Sequence, residues 1–296
     1  MKVLLAEYTI AHDPTLSGEG AAMLSILTSS FKRCGYDVVV PGSGDFAEEI
    51  ARIAPGCDMG LVIAPDHLLS RYTFLLEQAT HNLGCGFMSA ALCASKIQSK
   101  KILHENGVVV PLLNPPSGKR VIKPVKGCGS QGVRIADGMP GKEEFAEQYI
   151  DGDHYSVSLV INRVIGDACA YYSGKPPVVL AVNQQDIRID EQGRFTYHGG
   201  ETPVHPQREA EIIAAAIKAS ALLGCQGYCG VDVVVSDKVY VVDVNSRITT
   251  SLVGITACMQ EEIAEILVAA SKGQGPDEVH LSGTARFDTH GKVTRQ

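Results

Sequence analysis

The stretch VDVVVSDKVYVVDVN at residues 231–245 most constrains the fold, because its two apolar runs predict an antiparallel β-hairpin. If residues 237–238 form a two-residue turn, Asp232 lies directly opposite Asp243. Asn245 is two residues beyond Asp243, so its side chain points to the same side of the sheet. Like charges in direct opposition destabilise a sheet, and a three-residue turn would shift this pairing.

A bound cation is the favoured explanation for the aspartate pair. The face that carries it is otherwise apolar, with Val234 and Val241 beside the carboxylates. Two carboxylates and an amide oxygen suit Mg²⁺ or Mn²⁺, particularly when substrate phosphates complete the coordination. The sequence therefore predicts a metal site at Asp232, Asp243 and Asn245. The alternative is a solvated sheet face with unrelated charges.

The composition is that of an ordinary globular chain. It has 296 residues, of which 45% are apolar and 20% charged, and a formal net charge of −7. The acidic balance argues against a nucleic-acid partner, which needs a basic face, and no apolar stretch approaches the roughly 18 residues of a membrane span. Nine scattered cysteines without a C-x-x-C motif favour buried thiols in the reducing cytoplasm.

Alternating strand-like and helix-like segments place a small parallel sheet at the start of the chain, and the pattern changes after residue 85. Strands are predicted at 3–10, 37–40 and 59–64, a hairpin with a long loop at 183–206, and helices at 19–34, 68–79, 89–105, 207–223 and 259–272. The predicted fold class is therefore mixed, with an α/β part followed by an α+β part.

A glycine-rich loop, GCGSQG at residues 127–132, follows the strand-like run VIKPV. It matches G-x-G-x-x-G, but a dinucleotide-binding loop opens a helix, and here a β-like run follows. A strand–loop–strand unit of this kind is typical of a flexible flap over phosphates, because bare backbone N–H groups can approach an anion. The candidate phosphate contacts in the flap are Gly127, Gly129, Ser130 and Gly132.

Several lysines are candidates for phosphate contacts. Lys123 lies inside an apolar run, where a lysine needs a partner; the alternative is an edge-strand lysine whose ammonium reaches solvent. Lys126 is more typical of an exposed loop. For Lys96, its spacing with Lys100 and Lys101 favours a solvated helix face over a binding role.

Two further residues lie next to these motifs. Arg247 follows Asn245 by two positions and emerges beside the predicted metal, unless it is an ordinary surface arginine. His154 is placed to touch a nucleotide sugar, although a lone histidine is more often structural. No Ser-His-Asp order, H-E-x-x-H or G-x-S-x-G motif supports a hydrolase.

Taken in chain order, these segments resemble the ATP-grasp ligases over nearly the whole chain. The segments are Lys96, the VIKP strand with Lys123, the flap, EQYIDGDHYSVS, GVDVVV and VVDVNSR. The resemblance implies an ATP-grasp fold in three parts. These are an N-terminal α/β domain at 1–88, a small central lid at 89–156, and a C-terminal domain at 157–296 with an antiparallel sheet and the metal site. ATP would lie between the last two parts.

The resemblance also implies roles for the site residues. Lys96 and Lys123 would bind the ATP phosphates under the flap, and Arg247 would stabilise a developing acyl phosphate. The hinge against the adenine would be formed by Glu147, Gln148, Tyr149 and Ile150. The metal, Mg²⁺ or Mn²⁺, would be carried by Asp232, Asp243 and Asn245.

The sequence departs from the ATP-grasp pattern at three places. His154 stands where many members use a ribose-binding glutamate. Asp243 replaces the usual glutamate, which shortens a metal ligand. Residues 111–119 lack the helix that usually occupies the lid.

Within the superfamily, the chain is similar to the archaeal tyramine–L-glutamate ligases, which make γ-glutamyltyramine for methanofuran biosynthesis. The shared stretches include AEYTIA, NLGC, GDHYSVS, the HGGE loop and NSRITTS. This resemblance implies an ATP-dependent carboxylate–amine ligase that joins glutamate to tyramine through an acyl phosphate. Glu19 opens the first long helix and would face the cationic amine, although an acidic residue there also suits the helix dipole.

Other functions stay open on the sequence alone. One is a ligase of the same fold with a different acid and amine, and another is a nucleotide-binding module without catalysis. A protein kinase is a weaker alternative, since neither H-R-D nor D-F-G occurs. A homodimer is expected, because ligases of this type are often dimers.

Overall fold

The computed structural model describes residues 1–125, 132–164 and 174–296. In these residues the strands, β1 to β14 in chain order, are Lys2–Glu7, Asp37–Val39, Met59–Ile63, His81–Asn82, Arg120–Pro124, Arg134–Ile135, Glu144–Gln148, Asp153–Ile161, Val178–Ile189, Phe195–Thr202, Gly227–Val235, Val239–Asn245, Ala285–Phe287 and Val293–Arg295. The helices, α1 to α9, are Thr9–His12, Ser17–Arg33, Phe46–Ile53, Asp66–Glu77, Phe87–Ala94, Lys96–Glu105, Glu209–Leu222, Ser251–Cys258 and Ile263–Ser271. None of these helices is long and apolar enough to cross a membrane.

The N-terminal sheet is small and parallel, as predicted, with strand order β2-β1-β3-β4. Its central strands β1 and β3 are buried on both faces, which explains why β1 is a continuous apolar run rather than an alternating one. Val3 and Leu5 share a core with α2, and Leu4 and Ala6 share a core with α3 and α4. This layering holds the start of α2 near the carboxyl ends of the strands.

Within the predicted central part at 89–156, three strands form an antiparallel sheet in the order β6-β5-β7, and this sheet alone is called the lid from here on. Residues 111–119, which precede it, form no helix, as the sequence predicts. Ile122, Phe145 and Ala146 are buried in this sheet. β5 therefore carries Lys123 beside β7, whose last two residues begin the predicted hinge at 147–150.

The largest sheet is antiparallel, with seven strands in the order β12-β11-β8-β9-β10-β13-β14. Leu159 in β8 packs in a core with α7, whereas the neighbouring Val160 packs in the core that includes α8, α9 and α2. The mixed α/β and α+β class is confirmed. The predicted boundary between residues 156 and 157 falls inside β8.

The structure differs from the segments predicted from the sequence at the following three places. The single helix predicted at 89–105 is two helices, α5 and α6, because the backbone turns away from helical geometry at Ser95 (ψ 78°). The hairpin of β9 and β10 has a short loop, since Ile189 pairs with Phe195. Helix α8 had no prediction because it is buried on nearly all sides and so lacks an amphipathic period.

Candidate active site

One cavity of about 210 Å³ lies between the lid, the seven-stranded sheet and the N-terminal part, and it collects most of the predicted site residues. The predicted residues that line it are Glu19, Lys96, Lys123, Glu147, Gln148, Tyr149, Ile150, His154, Asp232, Asp243, Asn245 and Arg247. The predicted flap contacts Gly127, Gly129 and Ser130, with Lys126, lie outside the described residues. Gly132 is described, and it sits in a turn beside the ring of Pro124 rather than on the cavity wall.

The β11–β12 hairpin brings the two predicted carboxylates together by a different route from the one expected. The turn contains three residues, 236–238, so the strands start one residue out of the predicted register. A β-bulge at Val242 then restores it, and Asp232 pairs with Asp243 as predicted. The bulge also turns Val242 toward the cavity, whereas Val241, predicted for this face, is buried in the core on the other side.

The two aspartates are half-buried side by side but have different partners. Asp232 accepts hydrogen bonds from the amides of Gln185 and Asn245, both at 3.0 Å. Asp243 forms an ion pair with Lys96. Burial and the charge of Asp243 raise the pKa of Asp232 to about 7. Burial would also raise the pKa of Asp243, but Lys96 outweighs it and the pKa falls to about 2.

This donor set fits a divalent cation. The described residues hold no cluster of three or more His, Cys, Asp or Glu side chains suited to a metal ion. Among the described residues, two carboxylates and the amide oxygen of Asn245 come together here, a donor set that suits Mg²⁺ or Mn²⁺ completed by phosphate oxygens. The raised pKa of Asp232 supports this, because the charges of Lys96 and Arg247 do not offset burial and the neighbouring Asp243 carboxylate.

The lysines of α6 are not on a solvated face as their spacing suggested. Lys96 and Lys100 are both turned inward, whereas Lys101 is exposed. Burial would lower the pKa of Lys96, but the carboxylates of Asp243 and Asp66 outweigh it and raise that pKa above its ordinary value. For Lys100, burial prevails and lowers the pKa. The sequence could not show this, because the acceptors come from distant strands.

The side chain of Glu147 contacts lysines and is buried away from solvent. It forms ion pairs with Lys123 and, at 3.0 Å, with Lys100. Burial would raise the pKa of Glu147, but the two ammonium groups lower it below its ordinary value. This carboxylate therefore holds Lys123 in place, a role that the resemblance did not suggest.

The other predicted hinge residues also line the cavity, and some of their backbone N–H groups already form hydrogen bonds within the protein. The N–H of Gln148 donates to the carbonyl of Leu112 at 2.9 Å, and that of Tyr149 donates to the carbonyl of Lys119 at 3.0 Å. An adenine edge would therefore be read by other backbone groups of this segment. Nearby, burial and the charge of Lys123 lower the pKa of His154.

The predicted residues Arg247 and Glu19 meet on the N-terminal side of the cavity. Arg247 donates to the carboxylate of Asp66 at 2.7 Å, and both side chains are largely buried. Glu19 accepts a hydrogen bond from Thr250 at 2.8 Å. Burial raises the pKa of Glu19, although Thr250 and Arg247 oppose the shift. Asp66 is a site residue that the sequence reasoning missed.

A second group of missed residues comes from the β9–β10 hairpin. Gln185, Ile187, Phe195 and Tyr197 all line the cavity. Gln185 and Ile187 are two residues apart on β9, and Phe195 and Tyr197 are two residues apart on β10. Strand alternation therefore puts the members of each pair on one face, which a prediction of the full strands would have shown. Burial raises the pKa of Tyr197 well above its ordinary value.

Comparison with known proteins agrees with this geometry. The ATP-grasp domain family matches residues 93–251. Tyramine–L-glutamate ligases from Methanocaldococcus fervens and Methanocaldococcus jannaschii are 32% and 31% identical over 71% of this chain. The matched region spans 65% and 62% of those relatives, which is less than two thirds of their length.

Solved structures share the architecture. A protein from Archaeoglobus fulgidus assigned to the ATP-grasp superfamily superposes with a TM-score of 0.80 at 26% identity, covering 97% of this chain and 92% of that one. An L-amino acid ligase from Bacillus licheniformis has the same fold, with a TM-score of 0.71 at 16% identity over 97% of this chain and 79% of its own. Fold, site geometry and the domain match together show that the chain belongs to the ATP-grasp family.

Proposed function

We propose that the protein is an ATP-dependent ligase that joins the γ-carboxylate of L-glutamate to the amine of tyramine, giving γ-glutamyltyramine, ADP and phosphate. The observation that carries the ligase assignment is that Asp232 and Asp243 face the lysines of the lid and α6 across the same cavity. The relatives named tyramine–L-glutamate ligases support the choice of acid and amine.

The proposed reaction has two steps. An oxygen of the glutamate γ-carboxylate attacks the γ-phosphorus of ATP, the bond to the β,γ-bridging oxygen breaks, and ADP leaves. Tyramine, bound as an ammonium ion, first loses one proton to solvent to give the free amine. The amine then attacks the carbonyl carbon of the acyl phosphate, phosphate leaves, and the nitrogen loses a second proton to solvent. Phosphoryl transfer depends mainly on positioning and charge stabilisation, so no protein nucleophile is required.

The basic residues would supply that positioning and charge. Lys123 and Lys96 would bind the phosphates, and both are held in place by carboxylates. Arg247 would hold the acyl phosphate, because its planar guanidinium suits a phosphate or carboxylate. Glu19 would accept the ammonium group of the incoming amine from the N-terminal side of the cavity.

Asp232, Asp243 and Asn245 would hold the Mg²⁺ or Mn²⁺ ion. When bound, the ion supplies positive charge that screens the phosphate oxygens. The apolar side chains of Val121, Ile187 and other cavity residues would enclose the adenine against the hinge. His154 would contact the ribose as a neutral imidazole, since its pKa is lowered.

Three further parts of the proposal concern the whole protein. We propose the division at 1–88, 89–156 and 157–296, which limited proteolysis would test. We propose action in the cytoplasm, supported by the seven described cysteines, all free thiols. A homodimer is the expected assembly, and sedimentation velocity would measure it.

Phosphate release tests the function directly. Purified protein is given ATP, Mg²⁺, L-glutamate and tyramine, and each is omitted in turn. We expect phosphate only when all four are present, with a product whose mass equals glutamate plus tyramine less water. Activity with a different acid and amine would keep the ligase and reject these substrates. Nucleotide binding without ADP formation over a wide panel of acids and amines would favour the non-catalytic alternative.

A further inference from the structure

Lys100 is a buried lysine to which the proposed reaction gives no role. Its side chain is 4% exposed and lies one helical turn after Lys96 on the same face of α6. A buried ammonium is costly unless it is paired and hydrogen-bonded. Lys100 has two partners: it forms an ion pair with the carboxylate of Glu147 at 3.0 Å, and it donates a hydrogen bond to the carbonyl of Val242 at 2.7 Å.

The ion pair with Glu147 connects Lys100 to the lid. Glu147 lies in β7 and contacts Lys100 through one carboxylate oxygen and Lys123 through the other. Lys123 lies in the neighbouring strand β5, directly opposite Phe145. Without Lys100, only Lys123 would hold the carboxylate, and the ammonium of Lys123 would be free to move with it.

The hydrogen bond to the carbonyl of Val242 connects Lys100 to the β11–β12 hairpin, which carries the proposed metal ligands. Val242 is the extra residue of the bulge in β12, and such a residue is left out of the regular ladder. Its carbonyl therefore needs another donor, which Lys100 provides. Because the bulge sets Asp243 opposite Asp232, the donor that fixes Val242 also fixes the position of Asp243.

We propose that Lys100 is a positioning residue that holds Lys123 of the lid and Asp243 of the hairpin at a set distance from each other. One ammonium group contacts both structures, so it couples the phosphate-binding side of the cavity to the metal-binding side. The inference rests on the proposed function, because it requires that nucleotide and metal bind in this cavity.

The test compares Lys100→Met with Lys101→Met. Lys101 is the next residue of the same helix and is exposed, so its variant controls for the loss of one lysine from α6. The affinity for a fluorescent ADP analogue, measured in EDTA, reports on the lysine side of the cavity in the absence of metal. The affinity for Mn²⁺, measured by electron paramagnetic resonance, reports on the carboxylate side. We expect Lys100→Met to weaken both affinities by about 10- to 100-fold, as loss of a supporting residue typically does, and Lys101→Met to change neither.

Each outcome decides between a positioning role and a purely structural one. Folded Lys100→Met protein with lower thermal stability but wild-type affinities would overturn the inference. If Lys100→Met does not fold, Lys100→Arg is used, because a planar guanidinium cannot sit at the same point between the two acceptors. Wild-type affinities in folded Lys100→Arg would likewise overturn it. Wild-type protein that binds no nucleotide would instead contradict the proposed function.

Discussion

Two chemically identical side chains in the site are made different by their neighbours. Asp243 contacts an ammonium group and has a pKa of about 2, whereas Asp232 contacts two neutral amides and has a pKa of about 7. Both groups lie on the same face of one hairpin, so the difference follows mainly from their charged neighbours: Lys96 for Asp243, and the Asp243 carboxylate for Asp232. Asp243 therefore carries a full negative charge at neutral pH.

Replacing Asp243 by Ala should abolish most turnover, because it removes one of the two charged ligands of the proposed metal site. Loss of metal charge stabilisation corresponds to several kcal/mol, so we expect kcat to fall about 100-fold or more. Steady-state phosphate release measures it. Asp237→Asn, in the exposed turn of the same hairpin, is the control. Near-normal turnover of Asp243→Ala would contradict the metal assignment.

Glu19 is expected to act on the amine alone. In Glu19→Gln the hydrogen bond from Thr250 can persist, but the negative charge that faces the cavity is lost. We expect the KM for the amine to rise about tenfold, the equivalent of roughly 1.4 kcal/mol, with the KM for ATP unchanged. Initial rates over a range of tyramine concentrations measure this. Glu48→Gln, exposed in α3, is the control, and an unchanged amine KM would exclude the role.

At the scale of elements, the sequence predicted contacts within a hairpin better than contacts between elements. The pairing of Asp232 with Asp243 was predicted correctly, but from a two-residue turn, and it holds because the bulge offsets the extra turn residue. The bulge itself was not predictable, since nothing in the local sequence distinguishes Val241 from Val242. The burial of Lys100 and Glu147 was also inaccessible, because their partners come from separate strands and a helix.

Glu147 connects these elements, so its loss should destabilise the fold. Glu147→Gln leaves Lys100 and Lys123 buried without their shared counter-charge, and breaking such a pair costs about 3–5 kcal/mol. The folded-state pKa of Glu147 lies below its ordinary 4.5, so its stabilisation is present above that pH and is lost as the pH falls through the folded value.

Urea unfolding of wild type and Glu147→Gln at pH 7 and at lower pH checks both statements. The difference in the free energy of unfolding should be largest at pH 7 and should shrink on acidification below pH 4.5. Glu143→Gln, exposed just before β7, should match wild type throughout. A difference between wild type and Glu147→Gln that is independent of pH would show that the carboxylate is not ionised in the folded protein.

At the scale of the whole molecule, the N-terminal sheet and the seven-stranded sheet are joined by one continuous core. That core contains Leu5 and Phe31 from the N-terminal part together with Val160, Tyr228 and Leu267 from the C-terminal part. The sequence predicted both sheets and their order, but a core shared between distant segments follows from tertiary packing that no local pattern encodes. The cavity lies beside this junction, so the packing of the junction determines the positions of Glu19 and Arg247.

Gly227 gives a test of how closely that junction is packed. Its φ is +60°, and a Cβ atom there would lie 2.5 Å from the carbonyl oxygen of Leu83 in the N-terminal part. Gly35 has a φ of +79° with nothing within 4 Å, so Gly35→Ala has the backbone strain alone, about 1–2 kcal/mol. We expect Gly227→Ala to lose clearly more free energy of unfolding in urea than Gly35→Ala. Because the clash separates the N-terminal part, with Glu19 in α2, from the C-terminal part, with Arg247 just after β12, the amine KM should also rise in Gly227→Ala and stay unchanged in Gly35→Ala. Equal losses of unfolding free energy in the two variants would mean that the clash at Gly227 adds nothing to the backbone strain. The cavity would then not depend on close packing at the junction.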